Sequence, residues 1–293
     1  MLSTIGVLSC TSDYEKAELT INTEDMTRIV KEFSSDDFQG RKPFTVGEEK
    51  AVDFLIKEYK RIGLEPANSG SYIQEVPMVE VTDIPNERMK IRFWNSAIEL
   101  KYKDDFVAFS KQLVDKISIK NAPLVFAGYG IVAPEYNWND YKDLDVKGKV
   151  VVVLVNDPGF GSEDKSFFKG NEMTYYGRWT YKYEEAARQG AKGILIIHEN
   201  EPAGYPWSVV LSGALIPKLY LKAEDNYMSM CAMEGWLTLN AAKELFSMAG
   251  LQFEEIKEKA KTPGFKAISL KSRLSFEMMS QHRFAISKNV VGV

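Results

Sequence analysis

The sequence predicts an α/β fold with added antiparallel β-structure, and three observations carry that expectation. Lys149–Val155 (KVVVVLV) and Gly193–Ile197 (GILII) run apolar without alternation, as strands covered on both faces do. Between them Tyr183, Ala186, Ala187 and Gly190 recur at i, i+3, i+4 and i+7, one face of a helix. Strand, helix and strand in that order make a βαβ unit. Further on, Ile268, Leu270, Leu274, Phe276 and Met278 keep a period of two, which is strand periodicity.

Taken in order, Asn22 or Thr23 caps a short helix with Met26, Ile29, Val30 and Phe33 on one face. The polar turn SSDDFQGRKP follows. Thr45 and Glu48 then have the spacing of a capping box, opening a helix with Val52, Leu55, Ile56 and Tyr59 aligned and Gly63 as its stop. Tyr72–Val76 reads as a strand that Pro77 places at an edge or an end. These pieces carry more apolar surface than they can bury on one another, so they are expected to pack on another domain. Met89–Phe93 and Ala97–Tyr102 read as a hairpin around Trp94-Asn95-Ser96.

Leu124–Val132 is the next strand, Pro134–Asp145 a polar aromatic loop, and Asp157–Asn171 an exposed excursion. Thr180 is the expected N-cap of the central helix, and Gly190 the left-handed residue that ends it. Ile216–Leu221 reads as a third core strand. Asn240 caps a helix over Ala241–Ala249 that Gly250 ends, and a second helix spans Phe253–Lys261 with Phe253, Ile256 and Ala260 inward.

The 293 residues are 45% hydrophobic and 27% charged, ordinary values for a globular chain, and the net charge of −4 comes from interspersed signs. That leaves no basic patch, so nucleic acid is not an expected partner. No apolar run approaches the roughly 20 residues a membrane span needs. Two cysteines, Cys10 and Cys231, are too few for a disulfide framework or a thiolate metal cluster. Cys231 reads as a buried small residue.

Several stretches carry a resemblance. FAGYGIVAPEYNWNDYKDLDVKGKVVVVLVNDP (Phe126 to Pro158), YYGRWTYKYEEAARQGAKGILIIHE (Tyr175 to Glu199), AGYPWSVV (Ala203 to Val210) and IPKLYL (Ile216 to Leu221) resemble a protease-associated (PA) domain. The likeness is to the PA insert of bacterial zinc aminopeptidases related to glutamate carboxypeptidase and the transferrin receptor. DDFQGRKPFTVGEEKAVDFLIKEYKRIGLEP (Asp36 to Pro66) is similar to the segment that opens that family's peptidase fold. VLSC, ending at Cys10, resembles the lipobox of bacterial lipoproteins, although the leader lacks Lys or Arg and is short.

The resemblance implies a PA-type β-sandwich or barrel with flanking helices, inserted into an incomplete α/β aminopeptidase fold. It divides the chain into a lipoprotein-type leader and tether (1–20), opening helices and strand of the peptidase fold (21–80), the PA region (81–286) and the first returning peptidase strand (287–293). It also implies an exported protein, periplasmic or held at the outer membrane through lipidated Cys10. The parent reaction would be hydrolysis of N-terminal peptide bonds assisted by two zinc ions, with peptides as substrates. The family's zinc-binding segments follow its Asn-Val-Val-Gly-x strand, here Asn289–Val293. This chain is therefore expected to hold no metal, to lack activity alone and to pair with a missing peptidase domain. The alternative is a stand-alone PA-type module that binds peptides or a protein partner; a third reading is the product of a decayed gene.

The residues themselves agree that hydrolytic chemistry is not assembled by any motif. His198 and His282 lie in no HExxH pattern and read as structural. There is no G-x-S-x-G elbow, and Ser212 in LSGA lacks the context of one. Gly159-Phe160-Gly161-Ser162 reads as a turn, Gly128-Tyr129-Gly130 as a bulge, and Glu254–Lys261 (EEIKEKAK) as a solvated helix face. By the resemblance, the loop Tyr175-Tyr176-Gly177-Arg178-Trp179 is the candidate substrate- or interface-facing surface. An arginine among aromatics suits a peptide carboxylate or a stacked ring. The competing reading pairs Arg178 with a nearby carboxylate and packs the aromatics into an interface. Arg41 in the FQGRKP turn is the second candidate, against a plain salt bridge.

Overall fold

Runs that are apolar at every position need cover on both faces, and the computed structural model supplies it. It describes residues 17–18 and 20–293, so Cys10 and its leader lie outside the described residues. The chain divides into two units, residues up to Met78 with Ala285–Val293, and Val79–Phe284. The strands in chain order are β1 (Ile73–Pro85), β2 (Arg88–Arg92), β3 (Ala97–Lys101), β4 (Phe106–Phe109), β5 (Lys116–Phe126), β6 (Val132–Ala133), β7 (Trp138–Asn139), β8 (Val150–Leu154), β9 (Gly193–Ile197), β10 (Lys218–Leu221), β11 (Met233–Leu237) and β12 (Ile268–Val290). The helices are α1 (Thr23–Phe33), α2 (Val46–Arg61), α3 (Trp179–Arg188), α4 (Asn200–Ala203), α5 (Trp207–Ala214), α6 (Leu239–Met248) and α7 (Phe253–Ala260).

In the larger unit β5, β8, β9 and β11 lie side by side and parallel. β4 joins β11 antiparallel and β12 joins β5 antiparallel, with β1 and then β10 beyond it. The β2–β3 hairpin, closed by Phe93 N–H donating to Ser96 O, attaches to β12. Side chains alternate between two cores. Val150, Val152, Leu154, Leu195 and Ile197 face one core with α6 and α7; Val151, Val153, Ile194 and Ile196 face another with Tyr183 and Ala186 of α3. That two-sided cover is why β8 and β9 show no polar alternation.

Several expectations need correction. The third core strand is β11, not Ile216–Leu221: β10 lies at the end of the sheet, and Ile216 and Leu221 are each 61% exposed. β11 was hidden by Glu234. Its neighbours Met233, Trp236 and Leu237, at roughly 1.5–3 kcal/mol each, offset the several kcal/mol that burying one carboxylate costs. β5 begins at Lys116 and stops at Phe126; Gly128 and Gly130, with φ of 54° and 65°, then form a turn rather than a bulge. Pro77 lies inside β1, which runs on to Pro85. Asp157–Asn171 is not simply an exposed excursion, because Asp157 and Phe168 are fully buried. α3 starts at Trp179 with Arg178 before it, so Thr180 is not its cap, and Thr238 rather than Asn240 caps α6. Gly190 does take the left-handed conformation.

The smaller unit has its own core of Phe38, Ala51 and Phe54, with Ile29, Phe33 and Leu55 against it. The Phe33 and Phe54 rings stack at 5.2 Å. Only half of the face read for α1 is used, since Met26 and Val30 remain 57% and 63% exposed. The Thr45–Glu48 capping box does not form. Glu48 Oε2 instead accepts from Phe44 N–H, and the Thr45 hydroxyl donates to Lys42 O. Gly47 is required at the start of α2, because a Cβ there would lie 2.2 Å from Phe38 O.

α1 and α2 are tied by Glu58, buried on α2, which accepts from Arg28 at 2.7 and 3.0 Å and from Arg61 at 2.8 Å. Arg28, ahead of Arg61, holds this carboxyl down at about 2. The sign follows from that depression. The stabilisation is fully present above the ordinary carboxylate range and is lost as pH falls through about 2. Acid titration of this unit, followed by helix circular dichroism, is expected to show its loss moved to lower pH in the native chain than in Arg28→Ala.

Candidate functional site

The site is assembled from four elements that are far apart in sequence. In β11, alternation puts Glu234 and Trp236 on one face and Met233, Gly235 and Leu237 on the other. Glu234 pairs in register with Phe109 of β4. β10 brings Lys218 and Tyr220, and α3 brings Trp179 and Tyr183. The rings of Trp179, Tyr183 and Phe109 form a chain of edge contacts, each step 5.7 Å.

These walls enclose two adjoining cavities. The larger, about 440 Å³, is lined by Lys111, Tyr220, Tyr227 and Glu234, and the smaller, about 200 Å³, by Tyr205, Val210 and Trp236. Phe109, Trp179 and Lys218 line both. β4 and β10 are the two ends of the sheet, and they face each other across this groove without a ladder between them. Lys218 Nζ spans the gap, 5.7 Å from the Phe109 ring centre, while donating to Gly213 O.

The floor is electrostatically unusual. Glu234 has no exposed surface and neither carboxylate oxygen accepts a hydrogen bond. Lys111 Nζ stands 3.8 Å away and lies 5.9 Å over the Tyr220 ring. Burial pushes the Glu234 carboxyl up to about 7, against the pull of Lys111. Burial also raises Asp83, whose Oδ2 accepts from Ser110 N–H, and lowers Lys218. Aromatic walls with a few buried polar groups are the makings of a binding site for an organic ligand.

The sequence-predicted residues are dispersed. Trp179 is in the groove wall. Arg178 is exposed beside it and forms no ion pair among the described residues, so the carboxylate pairing weighed against it is not found. Tyr175 is exposed and donates to Glu184. Tyr176 donates to Glu135 at 2.7 Å and packs edge-on against Tyr181 and Phe168, away from the groove residues. Arg41, in the smaller unit, stacks 4.8 Å over Phe33 and donates to its carbonyl, a local clamp rather than a salt bridge.

Sequence reasoning missed Glu234, Lys111, Lys218 and Tyr220; the one available signal was a lone acid inside the apolar run MEGWL. It also missed Lys182, fully buried on α3, whose Nζ donates to Tyr129 O at 2.6 Å and Asn156 O at 2.7 Å. Lys182 thereby ties the turn after β5 to the turn after β8. Burial lowers its pKa and raises that of Asp140 nearby.

A further cavity of about 370 Å³ lies past the C-terminal ends of β9 and β11, lined by His198, Glu199 and Thr238. His198 is not free for chemistry. Its Nε2 donates to Tyr205 O at 3.1 Å, the ring sits among Tyr205, Trp207 and Trp236, and burial lowers its pKa. Lys257 pairs with Glu199, so that part of α7 is more than a solvated face. Among the described residues no three His, Cys, Asp or Glu side chains converge as metal ligands, and no helix is long and apolar enough to cross a membrane.

No protein-family model matches the chain, and no curated protein does. Solved structures to which it is similar at low identity include three peptidases. The aminopeptidase from Aneurinibacillus sp. strain AM-1 is 16% identical at a TM-score of 0.43, over 92% of this chain and 47% of that one. A peptidase M28 precursor from Shewanella amazonensis SB2B is 13% identical at 0.36, over 96% and 54%. A zinc aminopeptidase from Bacillus subtilis is 16% identical at 0.30, over 90% and 46%. The chain thus spans about half the length of these proteins.

Proposed function

We propose that this chain is the peptide-engaging part of a zinc aminopeptidase-like protein, a PA-type domain with the opening helices of the peptidase fold. Its role is to bind and present extended peptide, not to hydrolyse it. The reading starts from the sequence resemblance, and the groove at Trp179 is the observation that supports it. Two adjoining aromatic cavities suit successive side chains of an extended segment. The two zinc ions implied for the parent do not fit the donor set present here. His198 is committed to Tyr205 O and His282 Nε2 lies 3.1 Å from the Ser280 hydroxyl, and among the described residues no set of metal-ligating side chains converges on either. No hydrolytic step is derived from these residues.

The test is titration with the neutral capped peptide acetyl-Ala-norleucine-Ala-amide, followed by tryptophan fluorescence and calorimetry. Saturable binding is expected, and Trp179→Ala is expected to weaken it about tenfold, as loss of an aromatic anchor does. Absence of saturable binding to the native chain would overturn the proposal.

A further inference from the structure

What the larger cavity lacks is a hydrogen-bond donor placed on Glu234. Its two lysines are engaged, Lys218 with Gly213 O and Lys111 with Glu234 at 3.8 Å. Its buried carboxylate has both oxygens unsatisfied. A buried, incompletely paired carboxylate is costly, and the group that relieves it is one bringing N–H donors and positive charge. Of the charged groups lining it, Lys218 is held by Gly213 O and Glu184 has Arg188 at 3.8 Å, so Glu234 is the carboxylate left to attract a cation rather than an anion. The walls agree, because Trp179, Tyr220, Tyr227 and Phe109 line the cavity with aromatic rings, which attract an ammonium or guanidinium.

The chain's own side chains already show the mode. Lys111 holds its ammonium between Glu234 and the Tyr220 face, and Lys218 holds its own over Phe109. Lys111 is 17% exposed at the end of a flexible stem, so it can swing toward solvent as another cation takes its place on Glu234.

We propose that the larger cavity is a specificity pocket for a cationic peptide side chain, lysine or arginine, whose charged head replaces the Lys111 ammonium on Glu234. This rests on the reading of the groove as a peptide site and adds the class of residue it selects. It makes Glu234 the selecting group and Lys111 an internal competitor.

The experiment compares acetyl-Ala-Lys-Ala-amide with acetyl-Ala-norleucine-Ala-amide, which differ by the ammonium alone, on the full chain at about pH 8.5, on the alkaline side of the raised Glu234 carboxyl. The lysine peptide is expected to bind roughly tenfold or more tightly, as a charge-assisted hydrogen bond allows. Glu234→Gln is expected to abolish that preference, so that the two peptides bind this variant alike. Lys111→Met is expected to raise affinity for the lysine peptide, whereas a merely structural ion pair predicts no gain. Equal binding of the two peptides overturns the cation pocket and leaves the peptide site standing; binding of neither overturns both. Should Glu234→Gln fail to fold, Lys111→Met decides, and unchanged or weaker lysine-peptide binding overturns the proposal.

Discussion

Lys182→Met is expected to destabilise the larger unit by about 3–5 kcal/mol, the usual cost of removing one partner from a buried charged network. Methionine fills much the same space, so the loss is not one of packing. Two buried carbonyls, Tyr129 O and Asn156 O, lose their donor, and Asp140 and Asp157 lose the cation nearest them. Each orphaned carbonyl alone costs about 1–3 kcal/mol. Thermal and urea denaturation measure the effect. A midpoint near the native value would show that water replaces the ammonium at both carbonyls. Lys182→Arg is not expected to rescue stability, because a planar guanidinium cannot enter a site built around one compact charge.

That lysine also marks where reading by pattern stops. β8, α3 and β9 are legible because their apolar spacing reflects the faces they bury, and Gly190 because only a left-handed residue ends α3 there. Lys182 breaks the pattern for a reason outside its own helix. Its acceptors lie 53 and 26 residues away, on turns whose positions are set by β5 and β8. Glu234 breaks the pattern of β11 in the same way.

β10 is the converse case. IPKLYL is apolar enough for a core strand, but composition does not say whether a strand lies inside a sheet or at its end, and β10 lies at the end. The groove shares this difficulty. Of its walls, only Trp179 stood in a stretch already marked as a surface, because β4, β10 and β11 meet only once the sheet has curved its two ends toward each other.

Gly235→Ala is expected to damage the groove and the fold together. A Cβ at this position would lie 2.4 Å from Val107 O, a backbone atom of the paired strand, and 3.1 Å from Leu195 Cδ2. No rotamer relieves a clash with backbone, so β4 and β11 must separate, and overpacking of this kind costs about 1–3 kcal/mol or more. Phe109 pairs with Glu234 one residue away, so the same displacement moves the groove floor and neutral-peptide binding is expected to fall with stability. Gly213→Ala is the informative partner. Its added Cβ would have Lys218 Nζ as its nearest neighbour at 3.9 Å, and it lies within helix α5. There alanine is expected to be neutral or to stabilise by roughly 0.5–1 kcal/mol through helix propensity. Equal melting temperatures for the two variants would mean that β4 and β11 are not held at the observed spacing, and the floor assigned to the groove would go with them.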